Sequence, residues 1–203
     1  MKATLGVLVV LVLILGVWLS LTMGRIEPAE QSGNATTTPS GFVAYDNSAY
    51  GFSLLYPEGY SVVEPYAYQA LGPGRDIAGV KFVVPAEMAT GTNLSPDSGI
   101  SIEFLPGAVN SCSAEIYMSN PTYEGFVDEN GKRFSVARGG GAGAGNRYEE
   151  RVYATPIEGG CVGVRYFIHS TTVENYPEGT VREFDRAALV SQLDAIRKSL
   201  VLK

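Results

Sequence analysis

The stretch RYEERVYATPIEGGCVGVRYFIHS, residues 147–170, decides the fold that the sequence predicts. It contains two runs in which apolar residues alternate with polar or charged ones, separated by a segment with one proline and two glycines. Alternation with a period of two is typical of β-strands, and a short Pro/Gly segment between two such runs indicates a hairpin. We therefore predict strands at Arg147–Thr155 and Val162–Ser170 and expect them to pair.

Short alternating runs of the same kind recur from residue 41 onward. The further strands that they predict are Phe42–Tyr45, Gly51–Tyr56, Ser61–Glu64, Val80–Val84, Ile100–Leu105 and Arg133–Arg138. One helix is predicted near the end of the chain, behind Asp185 as its N-cap. Its apolar stripe consists of Leu189, Leu193, Ile196 and Leu200. The sequence also permits a short helix over Ser113–Met118. Many strands, one terminal helix and no repeating βαβ units predict an α+β fold with a mainly antiparallel β-sheet.

An almost unbroken apolar run, LGVLVVLVLILGVWLSL, occupies residues 5–21, just after Lys2. As a helix of about 17 residues it is roughly 26 Å long, which nearly spans a bilayer. We expect residues 1–24 to be a transmembrane anchor that starts in the cytoplasm; the alternative is a cleaved signal segment. Both alternatives place the rest of the chain outside the cytoplasm, periplasmic or extracellular, and secreted if the leader is cleaved.

The next segment, RIEPAEQSGNATTTPS at residues 25–40, has no apolar run that could offset the entropy of an ordered chain. It is predicted to be a flexible polar tether. Residues 41–203 are then long enough for one ordinary domain with its own core.

The composition argues against several classes of function. The chain has 21 Asp and Glu against 15 Lys and Arg, a formal net charge of −6, so no nucleic-acid partner is expected. One histidine and two cysteines are too few for the usual zinc sites, and no metal or cofactor is expected. The run GGGAGA at residues 139–144 matches a dinucleotide-binding pattern only formally, because a strand and not a helix follows it. We expect a flexible hairpin loop there and no bound nucleotide.

The two cysteines, Cys112 and Cys161, are 49 positions apart. Outside the cytoplasm thiols are normally oxidised, which favours a disulfide; the alternative is two buried free thiols. A disulfide that closes a loop of this length stabilises a fold by roughly 4 kcal/mol in the chain-entropy model. A redox-active pair is not indicated, because the sequence has no Cys-x-x-Cys motif.

Both ends of the domain resemble the PsbP-like family. The segment YDNSAYGFSLLYPEGY, residues 45–60, resembles the first hairpin of these domains, in which an aromatic-Gly-Phe strand runs into Tyr-Pro and then an aromatic residue. That last residue is commonly Trp in the family and is Tyr60 here. Phe184, Asp185 and the apolar stripe after them resemble the terminal helix of small bacterial PsbP-related proteins that follow a signal or anchor segment.

The middle of the domain, with GGGAGAGNRYEE at 139–150 and CVGVRYFIHS at 161–170, is similar to a bacterial subgroup of uncharacterised exported PsbP-related proteins. The resemblance implies an antiparallel sheet flanked by helices, as an α/β/α sandwich. It also implies a family whose members bind proteins more often than they catalyse reactions.

The candidate binding residues lie mainly on the two strands of residues 147–170. If these strands pair, Arg165 meets Glu149 or Glu150. Such a polar cluster fits a carboxylate or another small anion, whereas the commoner alternative is a cross-strand ladder of ion pairs. The predicted cluster consists of Arg147, Glu149, Arg165 and His169.

Two further features bear on function. Tyrosines are concentrated in YSVVEPYAY, residues 60–68, where Tyr66 and Tyr68 are candidates for a recognition surface or for packing on the sheet. His169 and Ser170 are neighbours in a predicted strand and point to opposite faces, so a Ser-His catalytic pair is not expected. The sequence therefore predicts a non-catalytic binding or accessory module of the bacterial envelope with a protein partner. The alternative is a hydrolase that processes a small anion or carboxylate ligand on the polar cluster.

Overall fold

The structure, a computed structural model, describes residues 38–203. The predicted anchor at residues 5–21, and the tether up to residue 37, lie outside the described residues. Within residues 38–203, no helix is both long and apolar enough to cross a lipid bilayer. Residues Thr38–Lys203 form one compact unit.

The described residues form ten strands in two antiparallel sheets. Strands β1 to β10 are Phe42–Asn47, Phe52–Pro57, Ser61–Tyr68, Ile77–Val83, Gly99–Pro106, Thr122–Glu129, Lys132–Gly143, Asn146–Ile157, Gly160–Thr171 and Val201–Leu202. The larger sheet has seven strands in the order β3-β4-β5-β9-β8-β7-β6, and the smaller sheet has the order β1-β2-β10. Consecutive strands lie side by side in most of the larger sheet, as expected for hairpin connections.

All eight predicted strands are present, and β8 and β9 pair along their full length, from Asn146 opposite Thr171 to Ile157 opposite Gly160. Strand β6, Thr122–Glu129, was not predicted. A bulge at Tyr123/Gly125 interrupts its alternation, and most of its residues are exposed because it is an edge strand. The two-residue strand β10 was also not predicted; its position depends on pairing with β2.

The expectation of a flexible hairpin loop over the glycine run is wrong. Residues 139–143 continue strand β7 and pair with residues 146–150 of β8. The turn itself is only Ala144-Gly145, and both residues have positive φ, 50° and 79°. Such angles suit a tight two-residue hairpin turn, which lets both strands run on as a paired ribbon.

Helices are few in residues 38–203. The short helix α1 covers Ala86–Ala89, and helix α2 covers Arg186–Lys198. As predicted, Asp185 caps α2, because its carboxylate accepts a hydrogen bond from the backbone N–H of Ala188 at 2.9 Å. The helix permitted over Ser113–Met118 is one turn of 3-10 helix at Ala114–Tyr117, and a second 3-10 turn lies at Val173–Asn175.

The larger sheet has two differently covered sides, which we call the helix side and the far face. The helix side packs against α2 and the smaller sheet in the main core, to which Phe52, Phe82, Val164 and Leu193 contribute fully buried side chains. The far face is covered only in part, by a segment that contains the 3-10 turn at Ala114–Tyr117. The sheet is therefore flanked by an α-helix on one side and, within the described residues, by a 3-10 turn and loops on the other.

The disulfide between Cys112 and Cys161 is present, with 5.3 Å between the two Cα atoms. Cys161 lies on the far face of β9 and is fully buried, whereas Cys112 lies in the segment that covers this face. The bond therefore ties the covering segment to the sheet. The prediction of a disulfide is confirmed.

Candidate functional site

The structure divides the predicted polar cluster between the two sides of the sheet. Ile168 of β9 lies opposite Glu149 of β8, so Glu149 belongs to the helix side, and Arg147 shares that side two residues earlier. Arg165 and His169 belong to the far face, together with Glu150. The four residues of the predicted cluster consequently do not meet. Glu149 and Glu150 lie on opposite sides of the sheet, as their neighbouring positions predict.

Arg165 is the centre of a buried network on the far face, and its side chain has no solvent exposure. Its Nε and Nη2 atoms each donate a hydrogen bond of 2.8 Å to the two carboxylate oxygens of Glu103 on β5. Nη2 also donates to the backbone carbonyl of Tyr117 at 2.7 Å. A two-point arginine–carboxylate contact of this kind fixes both the position and the orientation of the guanidinium group.

Two further residues complete the network. Nη1 of Arg165 donates to Glu150, and the guanidinium carbon lies 3.4 Å from the centre of the Tyr68 ring. The Tyr68 hydroxyl donates to Glu150 at 2.9 Å. Tyr68 is thus a buried packing partner of Arg165 rather than part of an exposed recognition surface.

The electrostatics of this network favour the charged form of Arg165. Burial by itself opposes the charge, but the charge and hydrogen bonds of Glu103, reinforced by Glu150, outweigh it and raise the pKa of Arg165. Burial is also the largest cause that raises the pKa of Tyr68. Because its donors are already bonded to protein oxygens, Arg165 stabilises the fold and has little capacity left for a ligand.

The exposed part of the far face carries a row of aromatic side chains. The rings of Tyr148 and His169 are stacked with 4.4 Å between their centres, and Phe167 lies 6.2 Å from Tyr148. The His169 ring is held at both nitrogens, by Asp97 at 2.9 Å and by the side-chain oxygen of Asn146 at 2.9 Å. The three ring-bearing side chains are half-buried, so each presents one surface to solvent.

Lys81 and Tyr66 extend this row onto strands β4 and β3. The ammonium nitrogen of Lys81 lies 4.8 Å from the centre of the Phe167 ring and 5.7 Å from that of Tyr66. Burial lowers the pKa of Lys81. Among the ion pairs of residues 38–203, none includes Lys81. We call this surface the aromatic row, and it consists of Tyr66, Lys81, Tyr148, Phe167 and His169.

The geometry around His169 is that of a held ring and not of a catalytic pair. Its hydrogen-bonding partners are a carboxylate and an amide, while Ser170 belongs to the opposite side of the sheet, as predicted. Within residues 38–203, no three His, Cys, Asp or Glu side chains are grouped so that they could hold a metal ion. What these groups can do chemically is to present flat rings and one cationic group to a partner.

Sequence analysis missed five residues of the far face, namely Glu103, Lys81, Asp97, Tyr148 and Phe167. Glu103 is fully buried in GISIEFLP, a strand of otherwise mostly apolar residues. A charged residue in such a strand is a signal that a buried partner exists, because an unpaired charge in a core is costly. The partner itself was not predictable, since Glu103 and Arg165 are 62 positions apart.

On the helix side, Glu149 is bonded to Arg186 of α2, with contacts of 2.9 and 2.7 Å from Nε and Nη2. Arg147 is exposed and makes no ion pair with another described residue. The Arg186–Glu149 pair joins the start of the helix to the sheet.

Comparison with known proteins finds solved structures to which the structure of this chain is similar. No family model matches the chain. No curated protein sequence matches it either. A crystal structure from Bacteroides thetaiotaomicron is similar with 12% identity and a TM-score of 0.45, over 79% of this chain and 48% of that one. The chain thus spans about half the length of the Bacteroides protein. The solution structure of cyanobacterial PsbP (CyanoP) from Synechocystis is similar with 15% identity and a TM-score of 0.43, over 87% of this chain and all of that one.

Proposed function

We propose that this protein is a non-catalytic binding module of the bacterial envelope, anchored in the membrane by residues 5–21 and exposing its domain outside the cytoplasm. The apolar run after Lys2 supports the anchor, and the Cys112–Cys161 disulfide supports an oxidising location. The motifs at residues 45–60 and in the terminal helix support a place among exported PsbP-related bacterial proteins. If the leader is cleaved, the same domain is secreted.

The observation that carries the binding role is the aromatic row on the far face. Aromatic side chains bury a large area on association and lose little rotamer entropy, so they are frequent at the centres of protein interfaces. Here the His169 ring is held by two hydrogen bonds and stacked on Tyr148, with 4.4 Å between the ring centres. A preorganised surface loses less conformational entropy on binding.

The chemistry of the row indicates what kind of partner fits. Lys81 lies between two rings and makes no ion pair within the described residues, although the charges of Asp97 and Glu103 partly favour its charged form. A carboxylate from a partner could pair with it in this partly desolvated place. The partner that we propose is a protein whose contact segment combines apolar side chains with an Asp or Glu. A nucleic acid is disfavoured by the net charge of −6.

Site-specific photocrosslinking in intact cells tests the binding role. A photoreactive phenylalanine analogue is placed at Tyr66 in the full-length chain and, as a control, at Tyr123, which is 46% exposed but lies on edge strand β6. We expect an adduct of defined mass from Tyr66 and none of that mass from Tyr123. Lys81→Gln should abolish the Tyr66 adduct while the melting temperature stays close to that of the parent. Equal adducts at both positions, or an adduct unaffected by Lys81→Gln, would contradict the proposal.

The location is tested separately. Intact cells and spheroplasts are treated with protease, and membranes are extracted with alkaline carbonate. We expect the domain to be cleaved only when protease reaches the outer side of the cytoplasmic membrane, and the uncleaved chain to stay with the membrane pellet. The mass of the mature protein is then measured. The mass of the full-length chain indicates a retained anchor, and a smaller mass indicates a cleaved leader. A protease-protected domain in the cytosolic fraction refutes the export proposal.

A further inference from the structure

A cleft of about 360 Å³ lies on the helix side of the sheet, between the start of α2 and strands β7 and β8. Three arginines line it: Arg138 on β7, Arg151 on β8 and Arg186 on α2. Apolar side chains, among them Ile168 and Val190, form part of its surface. We call this the arginine cleft, and it lies on the opposite side of the sheet from the aromatic row.

A glycine run of β7 borders this cleft. Beyond Arg138 the strand continues as Gly139, Gly140 and Gly141, of which Gly139 lines the cleft. Gly140 has φ of 152°, and a Cβ atom there would come within 2.2 Å of the Tyr148 carbonyl oxygen. Glycine is thus required by the backbone at this point, where β7 pairs with β8 beside the cleft.

The arginines that line the cleft outnumber the carboxylates that pair with them. Arg138 and Arg151 both face Glu124, through their Nε atoms at 3.4 and 2.9 Å, and Arg186 is bonded to Glu149. Glu150 also lines the cleft, but its carboxylate is bonded to Arg165 and Tyr68 on the far face. The three guanidinium groups therefore share the two carboxylates of Glu124 and Glu149, in a protein whose net charge is −6.

The arginines are also accessible to a ligand. The arginine side chains are 48–66% exposed, whereas the glutamates are 26% and 34% exposed. Because Arg138 and Arg151 approach Glu124 through Nε, their Nη atoms are able to donate to an incoming anion.

We propose that the arginine cleft binds a small organic anion through a carboxylate group. The planar guanidinium fork matches the two oxygens of a carboxylate, and two arginines from the sheet face a third from the helix. The half-buried Val190 offers contact to the hydrocarbon part of such a molecule, which an inorganic anion lacks. The protein carboxylates act as competitors that the ligand must replace, so affinity depends on how firmly Glu149 holds Arg186.

Calorimetric titration of the full-length protein in detergent micelles tests this site, with glutarate, glutaramide and inorganic phosphate as probes. Glutarate carries two carboxylates on an apolar body, and glutaramide has the same shape without charge. We expect saturable binding of glutarate and none of glutaramide. Arg151→Gln and Arg186→Gln should each weaken glutarate binding about tenfold or more, which corresponds to about 1.4 kcal/mol. Arg133→Gln is the matched control, because Arg133 lies over the Phe126 ring outside the cleft.

A fourth variant separates a binding role from a structural one. Glu149→Gln frees Arg186 from its carboxylate and should strengthen glutarate binding, whereas damage to the fold would weaken it. Absence of saturable glutarate binding overturns the proposal. So do unchanged affinities in the Arg151 and Arg186 variants, weaker binding by the Glu149 variant, and phosphate binding as tight as that of glutarate. None of these results bears on the aromatic row, since that surface is probed on the other side of the sheet.

Discussion

Replacing Arg165 with Met tests whether the buried network of the far face stabilises the domain. The methionine fills a similar volume but leaves Glu103, which has no solvent exposure, with only the Ser101 hydroxyl as a side-chain partner at 2.7 Å. Removing one member of a buried ion pair typically costs about 3–5 kcal/mol, because the remaining charge has neither solvent nor partner. At about 2–4 °C per kcal/mol for a domain of this size, the melting temperature should fall by about 6–20 °C.

The assays are urea unfolding and thermal unfolding of the full-length protein in micelles, both followed by circular dichroism with the disulfide intact. Arg186→Met is the matched control, because it removes an arginine that is 59% exposed from its ion pair and should cost about 0–1 kcal/mol. Adding Glu103→Gln to Arg165→Met should restore part of the lost stability, since it removes the isolated buried charge. The reasoning is refuted if Arg165→Met is no less stable than Arg186→Met, or if the double variant is less stable than Arg165→Met.

Three further outcomes are expected. Burial opposes the charged form of Asp194, but hydrogen bonds from Tyr166 and Arg197 outweigh it and lower the pKa of Asp194. Asp194 therefore stabilises the folded state at pH values above its unfolded pKa of about 3.9. This stability is lost as the pH falls through the lower pKa of the folded state. The urea midpoint of Asp194→Asn should therefore differ from the parent's at pH 6 and converge with it in strong acid, at about pH 2; a constant difference would contradict this. Cys112→Ser should lower the free energy of unfolding by roughly 4 kcal/mol in non-reducing buffer and make it insensitive to reductant, which unfolding with and without dithiothreitol measures. Leu193→Ala, at a fully buried helix position, should cost about 2–5 kcal/mol, and an equally stable variant would mean that the apolar stripe is not packed.

Much of the fold could be predicted because the evidence for it is local. Alternation over residues 147–170 predicts the two long strands of the central hairpin, and the stripe behind Asp185 predicts α2, since both patterns reflect which side of an element is buried. The glycine run was assigned wrongly for a related reason. Glycine has no side chain to alternate, so nothing local shows that residues 139–143 pair with β8.

The candidate site was predictable only in part. The proximity of Arg165 to the glutamates of β8 follows from pairing two neighbouring strands, and the structure selects Glu150. The bidentate partner Glu103 comes from β5, and Lys81 joins the aromatic row from β4. Strand β5 pairs with β9 and β4 lies on the other side of β5, an order that no local pattern specifies.

The sequence by itself determined the type of most main elements, the two faces of β9 and the terminal helix with its cap, and it favoured a disulfide between Cys112 and Cys161 over two free thiols. Only the tertiary structure decided that Arg165 is buried in an ion network, that Arg147 and Glu149 lie on the other side of the sheet, and that three arginines from β7, β8 and α2 share one cleft. The physical reason is that hydrophobic periodicity is encoded over a few neighbouring residues. Charge pairing and cleft shape depend instead on the order of strands in the sheet, which long-range packing fixes.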